Sequence, residues 1–217
     1  MRSFWSEPFL WIHLAGIAAL PPSLLVCLLG LAVGPLLPVG WEMSLVATAG
    51  IVPILWMQLV RPFNIFSLLV FAIKPEQLTT RQRQILSLFK KAGNKWLGVV
   101  GTVLSLWVLW QVYRIAPMAA SITPLPSGWR GAGLLVAAIA FLLTNLFLQV
   151  PLSVLAVLVT SDSTFSATEA YPIEKIDQDF TTPGFKVNSI WPFTAVATPP
   201  DSQSSESAMD DSGQDFL

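Results

Sequence analysis

Residues 17–28 read IAALPPSLLVCL. Two adjacent prolines, Pro21 and Pro22, interrupt a run otherwise fit to cross a membrane as a helix. The run is either one kinked span or two short arms that enter a bilayer and turn back. Proline has no amide hydrogen, so the carbonyls of Ile17 and Ala18 lose their usual helical donors and need others in a water-free medium. Residues 9–20 and 23–34 give each arm twelve residues, short for a span and long for a tight re-entrant arm. One kinked span is the preferred reading, and it places the N-terminus on the same side as the second connector.

Working outward, the chain is 53% hydrophobic and only 12% charged. A soluble domain usually carries about a quarter charged residues. The shortfall is local: between Phe9 and Val60 the one charged residue is Glu42, and between Trp96 and Thr160 there are Arg114 and Arg130. Uncharged apolar runs of about 18 residues or more indicate membrane helices. The expected spans are 9–34, 43–60, 96–116 and 131–159. Trp5, Trp11, Trp41, Trp96 and Trp129 lie at span starts, and Trp56, Trp107 and Trp110 fall towards span ends. Indole favours the headgroup boundary, so these tryptophans are expected to mark interfaces.

Seven of the twelve basic residues, Arg61, Lys74, Arg81, Arg83, Lys90, Lys91 and Lys95, lie between the second and third spans. Basic connectors stay cytoplasmic, so both termini are expected there too. Within this connector, residues 62–73 (PFNIFSLLVFAI) are apolar but too few to span. They are expected to lie in the interface or dip partway in. Residues 79–93 read as a basic amphipathic helix: Thr79 and Gln82 have capping-box spacing, and Ile85, Leu88, Phe89 and Ala92 share one face. Gly93 suits its terminator. Arg81, Arg83, Lys90, Lys91 and Lys95 are candidates to contact anionic lipid or a partner.

The remaining residues, 161–217, carry ten acidic residues against Lys175 and Lys186. Their composition predicts an acidic, low-complexity, disordered tail after a membrane domain over 1–160. The exception is FKVNSIWPF at 185–193, where Ile190, Trp191 and Phe193 form a candidate docking motif. The membrane domain is about +7 and the tail about −8. Because both face one compartment, the tail is expected to fold back on the basic helix and compete there with lipid or partner.

Chemical candidates are few. No acidic or basic side chain is expected mid-membrane, which argues against proton-coupled transport and an aspartyl protease. Cys27 is the single cysteine and His13 the single histidine, so neither a disulfide nor a metal set can be assembled from them. Val26 is too large for the residue before a lipoprotein cysteine, and no cleaved leader is expected. Phosphate-loop, dinucleotide and zinc-protease motifs are absent, and no enzyme activity is expected. His13 could ligate a tetrapyrrole, although an interfacial histidine more often just hydrogen-bonds. No other cofactor is suggested. Asn145 and Gln149, four apart in the fourth span, share a face that serves either interhelical bonding or a ligand. Gly30 and Gly34 form a weak G-x-x-x-G packing signal before Pro35.

The opening FWSEPFLWIHLAGIAALP, the segment RPFNIFSLLVFAIKPEQL and the acidic low-complexity C-terminus together resemble the cyanobacterial low-complexity tail membrane protein family. The likeness spans about residues 3–160 and implies an integral protein of a thylakoid or plasma membrane, with no assigned activity. The chain is thus expected to be an all-α integral membrane protein with about four transmembrane helices, an interfacial segment and a cytoplasmic amphipathic helix. Its expected role is non-catalytic, organising or assembling a membrane complex through contacts with lipids and other membrane proteins, with no nucleic acid. A small facilitator for a neutral solute and a pigment-binding protein are the alternatives.

Overall fold

The computed structural model of the chain describes residues 3–34, 38–68, 70–90 and 92–190. Four helical segments are long and apolar enough to cross a membrane: Pro8–Leu31, Gly40–Val60, Lys95–Ala119 and Arg130–Val159. The chain is therefore mostly helical and spans the membrane four times, as hydropathy predicts, which puts the N-terminal segment, the 61–91 connector and the tail on one side.

The first span runs through its prolines. Helix α1 (Pro8–Ala15) passes into a single 3-10 turn, Gly16–Ala19, and then into α2 (Leu20–Leu31). The tighter turn lets the Leu20 amide reach the Ile17 carbonyl, one of the two that Pro21 and Pro22 deprive of a donor. Pro21 and Pro22 then sit in the first turn of α2, where a missing amide hydrogen costs nothing. Ser23 adds its hydroxyl to the carbonyls of Ala19 (2.7 Å) and Leu20 (3.0 Å). Part of the bilayer's demand for satisfied backbone groups is thereby met inside one span, at the Ile17, Ala19 and Leu20 carbonyls.

Helices α3 (Val39–Val60), α5 (Ala92–Ile115) and α6 (Arg130–Val159) complete the membrane part. Helix α6 is its post, packing against α1, α2, α3 and α5. Its N-terminal half joins Cys27, Leu31, Val46, Ile51 and Leu109 in one apolar core, and its C-terminal half joins a second core on the tail side. Apolar side chains such as Val100, Val103, Leu135 and Val159 face outward, as they should against lipid.

The connector departs from the all-α expectation. Short strands β1 (Ser67–Leu68) and β2 (Phe71–Ile73) form an antiparallel hairpin, with Ser67 opposite Ala72 and Leu68 opposite Phe71. Strand β3 (Phe185–Val187) pairs parallel to β2. Helix α4 (Thr80–Phe89) follows with the expected capping box: Thr79 Oγ1 accepts from the Gln82 amide, and Gln82 Oε1 accepts from the Thr79 amide. It ends at Phe89, however, and Gly93 falls in the first turn of α5 rather than terminating α4.

Packing also continues past residue 160. Helices α7 (Asp162–Ser166) and α8 (Ile173–Asp179) insert Phe165, Ile176 and Phe180 into the tail-side core. These three apolar anchors give residues 161–190 enough buried surface to hold a fold. Averaging their composition with the Ser- and Asp-rich end of the chain hides them. Residues 191–217 lie outside the described residues.

Candidate functional site

The tail binds the basic connector directly. Lys90 pairs with the Asp179 carboxylate (3.3 Å) and donates to its backbone carbonyl (2.9 Å), with its ammonium 5.5 Å from the centre of the Phe180 ring. Arg83 donates to the Tyr171 carbonyl, and Arg61 donates to the carbonyls of Asp177 and Phe180. Main-chain bonds stitch the same surfaces: Asn64 N to Thr181 O, Thr181 N to Pro62 O, and Lys74 N to Val187 O. Of the five expected lipid- or partner-facing cations, Arg83 and Lys90 are thus held by the tail. Arg81 lies near Glu7, Lys95 is exposed where the third span begins, and Lys91 is outside the described residues.

The Tyr171 hydroxyl donates to Asp179 Oδ2 (2.5 Å), which together with Lys90 holds the Asp179 carboxyl below its usual range. Burial and the same carboxylate push the Tyr171 phenol up to about 12. Asp179 therefore adds stability above its ordinary value of about 4 and loses it as pH falls through the depressed one. Tyr171 adds stability below about 10 and loses it as pH rises through its raised value. Glu7, raised by burial, has the opposite sign to Asp179. Amide protection over residues 171–187 is accordingly expected to be greatest between about pH 4 and 10 and to fall on both sides; flat protection down to pH 3 would discount the Asp179 contacts.

His13 fastens the hairpin to α1. Its Nδ1 lies 2.8 Å from the Phe9 carbonyl oxygen, its ring is 5.6 Å from that of Phe63, and the Ser67 backbone lies near it. These are the contacts of a positioning histidine, and with Nδ1 turned to the Phe9 carbonyl a tetrapyrrole would need Nε2.

Asn145 and Gln149 meet at the centre of the membrane part. Asn145 Nδ2 donates to the Gly50 carbonyl (3.0 Å), while its Oδ1 accepts from Ser105 Oγ (2.9 Å) and Gln149 Nε2 (3.0 Å). Gln149 also donates to Thr102 Oγ1 (3.3 Å). The pair thus ties α6 to α3 and α5. Interhelical bonds of this kind contribute roughly 0.6–2 kcal/mol each in membranes. Gln149 Oε1 is buried without a partner among the described residues, near Gly98.

This cluster fixes depth. Gly50, Ser105 and Asn145 lie near the middles of their spans, and Asn145 bonds to both of the others. Trp107 is two residues from Ser105 and so lies close to the mid-plane, where it is 59% exposed. The expectation that Trp107 marks a span end is corrected by these contacts. Trp41, Trp56, Trp96 and Trp129 are exposed near the ends of their helices, where indole is favoured.

Sequence reasoning also missed a charge cluster at the other side of the membrane. Arg130 forms an ion pair with Glu42, whose other oxygen accepts from the Tyr113 hydroxyl (2.9 Å). Arg130 further donates to the carbonyls of Leu31 (2.6 Å) and Val33 (2.7 Å). Glu42 is 1% exposed. Its place one turn into a span was the available signal, because a carboxylate there needs a partner. Of the docking motif, Ile190 packs against the tail-side core, whereas Trp191 and Phe193 lie outside the described residues.

Neither a curated protein nor a solved structure matches the chain. Residues 6–192 match a family described as low-complexity tail membrane protein-like. The match covers four-fifths or more of the chain and takes in the four spans, the hairpin and the folded part of the tail. With those elements in place, the chain belongs to the low-complexity tail membrane protein-like family and is an integral membrane protein.

Proposed function

We propose that the chain is a non-catalytic subunit that organises or helps assemble a larger membrane complex, with both ends and the basic connector in the cytoplasm. The observation that carries this reading is the outer face of α5. Trp96, Val100, Val103, Trp107, Trp110 and Arg114 follow one another at spacings of four and three, and all are exposed. That is the period of a helix–helix seam. The Trp107 indole N–H has no hydrogen-bond partner among the described residues, and hydrocarbon offers none. A neighbouring transmembrane helix with an oxygen at mid-depth would supply one. An acidic group near its far end would suit Arg114.

The cytoplasmic contacts fit this role. Lys90 and Arg83 are occupied by the tail, so a partner or an anionic leaflet that engages them must first displace residues 171–180. The facilitator alternative rests on Asn145 and Gln149. Their donors are spent on holding helices together, which favours a structural part for them.

A photoreactive benzophenone side chain at Val103 tests the proposal. In intact membranes it is expected to form one discrete protein adduct, weakened several-fold by Trp107→Phe and Arg114→Glu. The same probe at Leu135, exposed on α6, is expected to label lipid only. Lipid labelling alone at Val103 would refute the seam.

A further inference from the structure

We propose that Val70 and Phe71 of the β1–β2 hairpin, with Phe185 beside them, are a wedge inserted into the acyl region of the tail-side leaflet. The ligand of this surface is lipid hydrocarbon.

Depth is the first argument. His13 lies five residues beyond Pro8, where the first span begins. At 1.5 Å per residue, that is about 7–8 Å into the span. The Phe63 ring packs on His13 and the Ser67 backbone lies near it, so the first strand of the hairpin starts alongside α1 at that level instead of beneath the membrane. The notion of a segment dipping partway in gains a definite form, a hairpin rather than a helix.

Surface chemistry is the second. Residues 68–71 read LLVF, with no charge. Val70 is 53%, Phe71 48% and Phe185 74% exposed, and Phe71 and Phe185 are direct partners across β2 and β3. Three such side chains together on a water-facing edge would be an unusual liability, but at this depth they meet acyl chains. The neighbouring Lys74 and Lys186 can lay their stems along the apolar surface and keep their ammonium groups at the headgroups. Lys186 is also paired with Asp177.

Backbone satisfaction is the third. A hairpin in a leaflet needs its amides and carbonyls paired. The Ile73 amide donates to Phe66 O (3.0 Å), and the Phe185 amide donates to Val70 O (2.6 Å) at the turn itself. Strand β3 of the tail therefore seals the edge that β2 would otherwise expose to lipid. Gly184 permits this approach: its φ is 81°, and a Cβ there would lie 1.9 Å from Val70 O. The tail is thus part of what lets the hairpin enter the bilayer, and this contact stands whether or not α5 has a partner.

The test uses the full chain in liposomes, with Cys27→Ser to remove the native thiol and an environment-sensitive NBD dye on Val70→Cys. Emission is expected to be blue-shifted and quenched by lipids carrying a doxyl group high on the acyl chain. Iodide on both faces should quench several-fold less than at Glu174→Cys, an exposed position in the first turn of α8. Phe185→Cys, labelled in the same way, is expected to repeat the result and guards against a local defect at the turn. Equal iodide quenching at the wedge and at Glu174 would overturn the proposal. A blue shift that neither quencher affects would also overturn it, because protein rather than lipid would then cover the wedge.

Discussion

Arg130→Ala is expected to lower the unfolding free energy by about 3–5 kcal/mol, the cost of stranding a buried charge. Glu42 is 1% exposed, and the Tyr113 hydroxyl, a neutral donor, does not balance its charge. The substitution also strips donors from the Leu31 and Val33 carbonyls, at and just beyond the end of α2. The Leu31 carbonyl is one of the last four of its helix, which lack intrahelical donors and form its negative end. Arg130 is itself the first residue of α6, the end where a cation is disfavoured. Its position is explained by what it does for α2 and Glu42, not by its own helix. The paired change Glu42→Gln with Arg130→Met is therefore expected to recover much of the loss, since a neutral pair leaves no stranded charge. Unfolding by steric trapping in bicelles reads both variants. A cost for Arg130→Ala under about 1 kcal/mol would mean that the pair is solvated like a surface bridge.

How much of this could be read from the sequence follows the range of each interaction. The spans were legible because twenty apolar residues signal a bilayer without reference to any other part of the chain. The Thr79–Gln82 capping box was legible because its partners are three residues apart. The Asn145–Gln149 pair was legible as one helix face, but Gly50 and Ser105, its partners on other helices, were not. Glu42 and Arg130 are 88 residues apart, and neither stretch of sequence points to the other. The β3 strand pairs with a hairpin more than a hundred residues earlier, and two- and three-residue strands carry too few positions for a period to show. Trp107 was misplaced for a related reason. Its depth follows from the cross-helix contacts of Ser105, which no single-helix pattern contains.

Gly30→Val is expected to be at least as damaging, costing more than the ~1–3 kcal/mol typical of overpacking. Helices α2 and α6 cross here with backbone against backbone. A Cβ on Gly30 would lie 2.6 Å from the Gly133 carbonyl oxygen and 2.8 Å from the Ala137 nitrogen. From the other side, a Cβ on Gly133 would lie 2.6 Å from the Gly30 oxygen. Main-chain atoms cannot swing aside as a side-chain end can, so the helices must part. Tight crossings of this kind are how membrane helices gain contact without a hydrophobic drive between them. The sequence offered Gly30 and Gly34 as the pair, but the structure divides them. Gly30 faces Gly133, whereas Gly34 adopts φ 68° in the turn that follows α2. Gly131→Val is the control: it sits on the same helix as Gly133 with nothing within 4 Å of its Cβ, and it is expected to leave thermal unfolding in detergent nearly unchanged. Equal behaviour of Gly30→Val and Gly131→Val would discount the crossing. Because Arg130 grips the carbonyls just beyond Gly30, parting the helices also loosens the Glu42 clasp. Gly30→Val combined with Arg130→Ala should therefore cost less than the two changes summed, as expected of residues that share one joint.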